Sequence, residues 1–303
     1  MEQLKEPSGV LLIDKSEGMT SHDVVSRVRR LYGTRRVGHT GTLDPMATGV
    51  LVVLVGRAAK AAEYLVSDRK TYEAVLRLGI TTDTEDVTGT VLTTCEERPT
   101  AQEVIACTKS FIGDYMQTPP MYSALKVGGQ KLVDLARRGI EVERSARPVK
   151  IHALDCTPLE TGDFSLRVTC SSGTYIRTLC ADIGARLGCG GAMAALRRCE
   201  AGGFSLADCT TLSALEEKEP TQRHAVLIPT EALFADLPEL RLPAFYERLA
   251  RSGCEIYLKK LGTTLDVGTR VRLCGEDGTF FALGEIRSFE AGDAAKPIKT
   301  FDV

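Results

Sequence analysis

The pattern of hydrophobic and polar positions predicts short strands that alternate with helices. Residues 50–55 are an unbroken apolar run between Gly49 and Gly56, which is typical of a strand buried on both faces. Residues 164–171 instead alternate between apolar and polar side chains, which indicates a strand with one buried face. Further strands are expected at residues 9–15, 70–79 and 147–155, and from residue 196 onward.

Helices are predicted where apolar residues recur every three or four positions. Such a stripe follows Thr20, which stands three residues before Asp23 in the spacing of a capping box. A second stripe begins at Ile176, directly after the alternating strand and a Ser-Gly turn. Three more helices are expected at residues 58–65, 101–113 and 130–138. Residues 188–193 are rich in glycine and predict a flexible connection.

The end of the chain has a different pattern from the rest. Prolines mark residues 229–238, and short strand patterns follow at residues 267–286 with a hairpin turn at Asp277-Gly278. We therefore predict two domains, residues 1–236 and residues 237–303, the second of them a small β-barrel.

Composition places the chain among ordinary globular proteins. It has 303 residues, of which 43% are hydrophobic and 26% are charged. Apolar runs stay well below the roughly 18 residues of a membrane span, and the first residues lack a signal-peptide core. A cytosolic, cytoplasmic location is therefore expected. The ten cysteines include no CxxC pair, so we expect free, mostly buried thiols and no metal site.

The formal charge of −2 argues against a generally basic nucleic-acid binder. If the protein binds RNA, its positive charge must be local. Two basic groups are candidates: Arg27, Arg29, Arg30, Arg35 and Arg36, and then Arg137, Arg138, Arg144, Arg147 and Lys150. Solvated helix faces would give the same pattern, and for the second group this interpretation is favoured.

One loop, residues 38–51, concentrates side chains that can carry chemistry. It contains three glycines, three threonines, His39 and a single carboxylate, Asp44. An isolated Asp-Pro pair usually only starts a turn. Glycines permit close backbone approach by another molecule, and threonine hydroxyls and a histidine add hydrogen-bonding groups, so a simple turn does not explain the whole set.

The sequence of this loop, GHTGTLDPMATGVL, resembles the catalytic loop of the TruB family, the tRNA pseudouridine-55 synthases. Further segments resemble motifs of the same family: LGITTDTEDVTG, PPMYSALK, GTYIR, and DKSEGMTS, in which Ser16 stands where the family usually has proline. Because proline stiffens a turn and carries no chemistry, we expect this difference to matter little.

The resemblance implies an α+β fold. Its pseudouridine-synthase core would have a mixed, mainly antiparallel sheet flanked by helices, followed by a small PUA-like β-barrel that binds RNA. Residues 239–303 contain equal numbers of acidic and basic residues, so they show no basic stripe in support of RNA contact.

The resemblance also assigns roles to residues. Asp44 would be the essential catalytic residue, Arg177 its ionic partner, and Asp86 a support of the site. The remaining expected substrate contacts are Tyr72 stacked on the target base, Tyr175 and Leu196 in the base pocket, His39 against the RNA or in the vacated stack, and Lys15 and Lys126 as further contacts, Lys126 to phosphate.

Pseudouridine formation breaks the N-glycosidic bond of a uridine, rotates the uracil and rejoins it through carbon. No redox change occurs, so no cofactor is expected. An ionised Asp44 could attack the sugar carbon or remove a sugar proton, and the sequence does not choose between these. The target nucleotide would have to be flipped out of the folded RNA. Tyr72 could help to remove the carbon-bound proton.

Two other function classes remain open from the residues alone. An aspartyl-phosphate phosphotransferase also uses an aspartate in a Thr/Gly-rich loop, but it needs Mg²⁺ and further carboxylates. A non-catalytic RNA-binding protein or RNA chaperone would not need Asp44. We therefore expect an isomerase that acts on the T-arm of tRNA. It should work as a monomer, without a membrane and without a required protein partner.

Overall fold

A computed structural model describes residues 6–64 and 69–301 of the chain. The strands are, in chain order, β1 (Gly9–Lys15), β2 (Val37–His39), β3 (Thr48–Val55), β4 (Arg69–Leu78), β5 (Ile80–Thr82), β6 (Val91–Thr94), β7 (Gly113–Gln117), β8 (Lys126–Val127), β9 (Gln130–Lys131), β10 (Arg147–Pro158), β11 (Phe164–Ser171), β12 (Gly191–Ala201), β13 (Phe204–Ser205), β14 (Glu239–Arg241), β15 (Ile256–Tyr257), β16 (Arg270–Cys274), β17 (Phe280–Phe289) and β18 (Gly292–Thr300).

The α-helices are α1 (Ser21–Tyr32), α2 (Ala101–Lys109), α3 (Leu132–Ala136), α4 (Ile176–Arg186), α5 (Leu212–Glu216), α6 (Pro220–Ala225), α7 (Ala244–Arg251) and α8 (Leu258–Leu261). Shorter 3-10 helices cover Gly56–Tyr64, Leu206–Asp208 and Thr230–Phe234. None of the helices in the described ranges has the length and apolar content needed to cross a membrane.

A nine-stranded sheet forms the centre of the larger part of the molecule. Its main path runs β1-β3-β12-β4-β11-β10-β7, with β2 added to β3 and β13 added to β12. The pairs are antiparallel except for β12 with β3, which is parallel. The predicted α+β class with a mixed, mainly antiparallel sheet is therefore confirmed.

Strand β3 explains why residues 50–55 carry no polar side chain. Leu51, Val53 and Val55 belong to the main hydrophobic core, together with the apolar stripe of α1. The alternate residues, Val50, Val52 and Leu54, belong to a second core on the other face of the sheet. Since both faces are covered, an unbroken apolar run is what burial requires.

Helix α1 begins as its sequence predicts. The Thr20 hydroxyl accepts a hydrogen bond from the backbone N–H of Asp23, and the Asp23 carboxylate accepts one from the backbone N–H of Thr20. The helix ends at Gly33, which has a φ of 63°. This cap fixes the point where the chain turns back toward β2 and the loop that contains Asp44.

Several predicted elements differ from the structure. The helix expected at 58–65 is the 3-10 helix Gly56–Tyr64, and residue 65 lies outside the described residues. The helices expected at 101–113 and 130–138 are shorter, since they are limited to α2 and α3.

The connection expected at 188–193 is wrong for its second half, because β12 already begins at Gly191. A β-carbon at Gly191 would lie 2.6 Å from the Cys180 carbonyl oxygen. Glycine here therefore permits close packing of strand against helix α4 and does not indicate a loop.

The C-terminal strands form a separate five-stranded sheet in the order β14-β16-β17-β18-β15. It is a curled half-barrel around its own apolar core, as predicted for this end of the chain. Phe234, Leu283, Phe301 and Ala61 form a small cluster that joins this sheet to the larger part. The ten cysteines are free, as predicted; five of them are buried.

Candidate active site

A cavity of about 600 Å³ opens beside the loop that precedes β3. Its walls come from the start of α1, the end of β2, loop residues 42–45, the central strands β4 and β12, residues 122–124 with the segment around α3, and the start of α4. Of the predicted site residues, those that line it are His39, Asp44, Tyr72, Tyr175, Arg177 and Leu196. The sheet therefore brings together residues that are up to 157 positions apart in the sequence.

Asp44 and Arg177 form a two-pronged ion pair in the wall of this cavity. Nε of Arg177 lies 2.9 Å from one carboxylate oxygen of Asp44, and Nη2 lies 3.3 Å from the other. The Arg177 side chain is only 6% exposed, whereas that of Asp44 is 34% exposed. The guanidinium thus holds the carboxylate from behind while leaving part of it open to a ligand.

Arg177 is itself fixed by further acceptors. Its Nη1 donates to the carbonyl oxygen of Thr84 at 3.0 Å, and its Nη2 donates to that of Tyr122 at 3.0 Å. The Asp86 carboxylate lies 3.7 Å from Nη1. Because the guanidinium is held on every side, its position against Asp44 is set before any substrate arrives.

Asp86 is a buried support of this ion pair. One of its carboxylate oxygens accepts hydrogen bonds from the Thr84 hydroxyl and from the backbone N–H and hydroxyl of Thr88. These bonds satisfy the charge that burial would otherwise leave unpaired. The other carboxylate oxygen of Asp86 faces the Arg177 guanidinium.

The environment of Asp44 opposes its ionisation on balance. Burial raises the pKa of Asp44 above its ordinary value, and the Asp86 charge adds to this, while Arg177 and Lys15 lower it. Arg177 therefore moderates a shift that burial would make larger. A carboxylate in this state is less strongly solvated than a surface aspartate.

Tyr72 and Leu196 form one wall of the cavity. They lie on the adjacent strands β4 and β12, where Tyr72 pairs with Arg198 and Leu196 pairs with Ala74. Burial raises the pKa of the Tyr72 hydroxyl, with Arg198 opposing the rise, so the phenol stays protonated at neutral pH. The result is a flat, largely apolar surface that faces the carboxylate side of the cavity.

His39 and Ser123 contribute polar atoms to the cavity wall. His39 Nδ1 and Ser123 Oγ are buried and have no hydrogen-bond partner among the described residues. Burial lowers the pKa of His39, and the charges of Arg198 and His22 act in the same direction. A neutral imidazole has one nitrogen that donates and one that accepts a hydrogen bond.

Tyr175 is the residue that precedes α4, and its backbone is held by Gln117. The Tyr175 N–H donates to Oε1 of Gln117 at 2.8 Å, and Nε2 of Gln117 donates to the Tyr175 carbonyl at 3.0 Å. Gln117 is buried at the end of the edge strand β7. This amide pair fixes the start of α4, and with it the direction of Arg177.

Two predicted contact residues do not line the cavity. Lys15 is buried, and its ammonium donates to the carbonyls of Ser16, Met19 and Pro45. Burial lowers the pKa of Lys15 to about 8, against the opposing effect of Asp44. Its contact with Pro45 makes it a support of the loop. Lys126 is exposed on the short β8 and stands outside the lining.

Other cations occupy the place that Lys126 was expected to take. Lys70, Lys131 and Arg137 all line the cavity. Arg137 belongs to the second basic group found in the sequence, while Lys131 stands at the start of the expected helix. Lys126 and Lys131 are directly opposite each other in the β8–β9 hairpin, and of the two it is Lys131 that lines the cavity.

Arg198 is a site residue that the sequence reasoning missed. It is 1% exposed, and its guanidinium donates to the carbonyls of Val50 at 2.7 Å, Gly41 at 3.0 Å and Thr42 at 3.3 Å. The side chain thereby ties the loop that carries Asp44 to the central sheet. A signal was present, because Arg198 is two residues after Leu196 and so shares its face of the strand.

Gly49 explains how closely the loop and the sheet approach each other. It has a φ of 102°, and a β-carbon there would lie 2.2 Å from the Arg198 carbonyl oxygen.

Among the described residues, no group of three or more His, Cys, Asp or Glu side chains is arranged to hold a metal ion.

Comparison with known proteins agrees with this geometry. A family model described as "TruB family pseudouridylate synthase (N terminal domain)" matches residues 29–176, and one described as "tRNA pseudouridylate synthase B C-terminal domain" matches residues 177–235. The chain is 43% identical over 277 residues to the tRNA pseudouridine synthase B of Aromatoleum aromaticum, covering 91% of this chain and 88% of the relative.

Other relatives and solved structures extend the match over most of the chain. The tRNA pseudouridine synthase B of Clostridium kluyveri is 43% identical over 286 residues, covering 93% of this chain and 96% of the relative. A chain in the crystal structure of a Cbf5–Nop10–Gar1 complex superposes with a TM-score of 0.71 at 25% identity, covering 97% of this chain and 85% of that one. The protein described here therefore belongs to the TruB family and is a pseudouridine synthase.

Proposed function

We propose that the protein converts uridine to pseudouridine at position 55, in the T loop of tRNA, with Asp44 as the reacting carboxylate. The observation that carries this proposal is the two-pronged pair of Asp44 and Arg177 in the cavity wall. The names of the similar bacterial enzymes support tRNA as the substrate. The T-loop position rests on the resemblance of the motifs.

The reaction asks little more of the protein than a positioned carboxylate and a confined base. The bond from uracil N1 to the sugar carbon breaks, the uracil turns, and a bond from its C5 to the same carbon forms. N1 gains a proton and C5 loses one, so atoms and charge balance without a redox partner. Asp44 attacks the sugar carbon or removes a sugar proton, and either role requires its ionised form, which Arg177 favours.

The cavity suits one extruded nucleotide. Its volume of about 600 Å³ lies in the range of small-molecule sites and is far too small for an RNA helix. Tyr72 and Leu196 offer a flat surface against which a uracil ring can pack. His39 and Ser123 line the cavity and carry groups that can hydrogen-bond to the polar edge of the base or to the sugar hydroxyls. The nucleotide would therefore have to leave its stack to react.

Phosphate contacts belong to the cations of the cavity rim. Lys131 and Arg137 flank α3 and line the cavity. We assign to these two residues the contact with the RNA phosphate that was expected of Lys126. Lys15 acts on the substrate only through the loop that it supports. Local positive charge of this kind lets a protein of net charge −2 bind RNA.

We also propose the division of labour between the two domains. Residues 1–236 would hold the catalytic centre, and residues 237–303 would form a PUA-like RNA-binding domain around the five-stranded sheet. The protein would act in the cytoplasm as a monomer that needs no protein partner. The second of the two family models ends at residue 235, which supports a boundary near that position.

Tritium release from [5-³H]uridine-labelled tRNA transcript tests the proposal. Wild type should release one tritium per tRNA at position 55, with or without EDTA, and Asp44→Asn should release none while still binding tRNA. Full release by Asp44→Asn would refute the role of Asp44. Tight binding without release by wild type would favour an RNA chaperone, and release that EDTA abolishes would contradict a metal-free mechanism.

A further inference from the structure

A strained turn supplies the partners of Arg177. Thr84 offers its carbonyl and Asp86 its carboxylate, and both face Nη1 of the guanidinium. The residue between them, Glu85, has a φ of 63° and is the non-glycine residue with positive φ among those described. A long side chain in this conformation is uncommon, and such strain persists only where the surrounding contacts enforce it.

The surrounding contacts of Glu85 are of two kinds. The Glu85 carbonyl accepts from the Met193 N–H at 3.0 Å, which pins the turn to the central strand β12. Its carboxylate accepts a short hydrogen bond from the Thr178 hydroxyl, in the first turn of α4. Thr178 directly follows Arg177, so this bond joins the strained turn to the helix that carries the catalytic cation.

The start of helix α4 is stabilised by the Glu85 carboxylate, because the helix has no acidic group of its own there. Its first turn contains no acidic residue, and Tyr175 provides no side-chain cap. A negative charge near the start of a helix is favourable, so Glu85 supplies from another element what α4 lacks. Burial raises the pKa of Glu85, and the Thr178 bond and the Arg177 charge oppose the rise.

We propose that Glu85 is a positioning residue for the isomerisation, which holds Arg177 against Asp44 through its strained backbone and its bond to Thr178. Its backbone conformation turns the Thr84 carbonyl and the Asp86 carboxylate toward one guanidinium nitrogen. Its side chain fixes the helix turn from which that guanidinium extends. This inference rests on the proposed roles of Asp44 and Arg177, and the test below separates its failure from theirs.

The test compares variants that keep or remove each contact. Glu85→Gln retains an oxygen that can accept from Thr178, whereas Glu85→Gly removes the clamp and relieves the backbone strain. Thr178→Ser keeps the hydroxyl and Thr178→Val removes it. Asp83→Asn is the matched control, because Asp83 is an exposed carboxylate of the same segment that contacts Thr90 instead. Asp44→Asn reports on the proposed function itself.

The measurements are kcat and KM by tritium release from tRNA, and the melting temperature of each variant. Glu85→Gly should lower kcat about tenfold, the effect of losing one charge-assisted hydrogen bond, with KM unchanged and no loss of melting temperature. Thr178→Val should match it, and the double variant should be no slower than the slower single one. Glu85→Gln keeps the acceptor oxygen but loses the charge, so its kcat should lie between those of wild type and Glu85→Gly. Thr178→Ser and Asp83→Asn should stay within about twofold of wild type.

Distinct outcomes would overturn the inference. If Asp44→Asn is inactive but Glu85→Gly and Thr178→Val keep the wild-type kcat, Glu85 has no positioning role. Losses that multiply in the double variant would show that the two residues do not act through one bond. Should Glu85→Gly fail to fold, equal kcat values for Thr178→Val and Thr178→Ser would refute the proposal. An active Asp44→Asn would instead refute the proposed function.

Discussion

The Arg198→Lys substitution tests how the loop that carries Asp44 is held. The substitution keeps the positive charge but replaces a planar fork of donors with one ammonium group. The arginine donates to three backbone carbonyls, two of them in the loop and one on β3. These bonds come from three different nitrogens, Nε, Nη1 and Nη2, whereas a lysine has all its donors on one nitrogen, so we expect it to keep one bond and lose two.

The magnitude follows from those two bonds. A hydrogen bond to a charged group contributes about 1.5–3 kcal/mol, so the unfolding free energy should fall by about 3 kcal/mol or more. A loop shift of about 1 Å at the reacting carboxylate should lower kcat by about 100-fold. KM for tRNA should change little, because Arg198 is buried and does not face the RNA.

Arg197→Lys is the matched control for this substitution. Arg197 is the adjacent residue on β12, but its side chain is 39% exposed and pairs with Asp14 at 2.8 Å. Exposed ion pairs of this kind contribute roughly 0–1 kcal/mol. Urea unfolding and tritium release should therefore leave Arg197→Lys near wild type. Equal stability and equal kcat in Arg197→Lys and Arg198→Lys would refute the reasoning.

Three further predictions concern the cavity and its loop. The ratio kcat/KM should fall as the pH drops through the pKa of Asp44, which burial places above the ordinary 3.8. Arg177→Gln removes the main opposing charge, so it should move this fall in activity at low pH, the acid limb of the profile, to higher pH; an unmoved limb would contradict the assignment. Tyr72→Phe should bind tRNA normally in filter binding yet release tritium at least about 100-fold more slowly, although its raised pKa means that the Tyr72 phenol must first give up its own proton to act as a base; a wild-type rate would exclude the hydroxyl from proton removal. Gly49→Ala should lower the free energy of unfolding, measured in urea, by about 2 kcal/mol or more. Gly38→Ala, which has open space around its β-carbon, should change it by no more than about 0.5 kcal/mol, and equal losses would contradict the close approach at Gly49.

The strands and the loop could be predicted because their signals are local. An unbroken apolar run requires cover on both faces, and β3 has it. A hydroxyl three residues before an acid caps α1, as the spacing indicates. The glycine-rich loop contains the carboxylate that the structure places in the cavity wall, 2.9 Å from the arginine that the motifs had paired with it.

The parts that could not be predicted depend on contacts between distant segments. Gly191 has the same local signature as a loop glycine, and only its packing on α4 shows that it starts a strand. Lys126 belongs to a recognisable motif, yet its neighbour across the β8–β9 hairpin, Lys131, is the lysine that lines the cavity. Lys15 precedes a turn and resembles a surface lysine, although three carbonyls bind its ammonium in the interior.

The two buried arginines of the site act on Asp44 in different ways, and their loss should be distinguishable. Arg177 touches the carboxylate and is the charge that most lowers its pKa, so removing it changes both the rate and the acid limb. Arg198 donates to backbone carbonyls of the loop and of β3, and the other charges with a leading effect on the pKa of Asp44 are Asp86 and Lys15. Arg198→Lys should therefore lower kcat at every pH while leaving the acid limb in place. Geometry and electrostatics at this carboxylate are thus held by separate residues, and a pH–rate profile of each variant separates them.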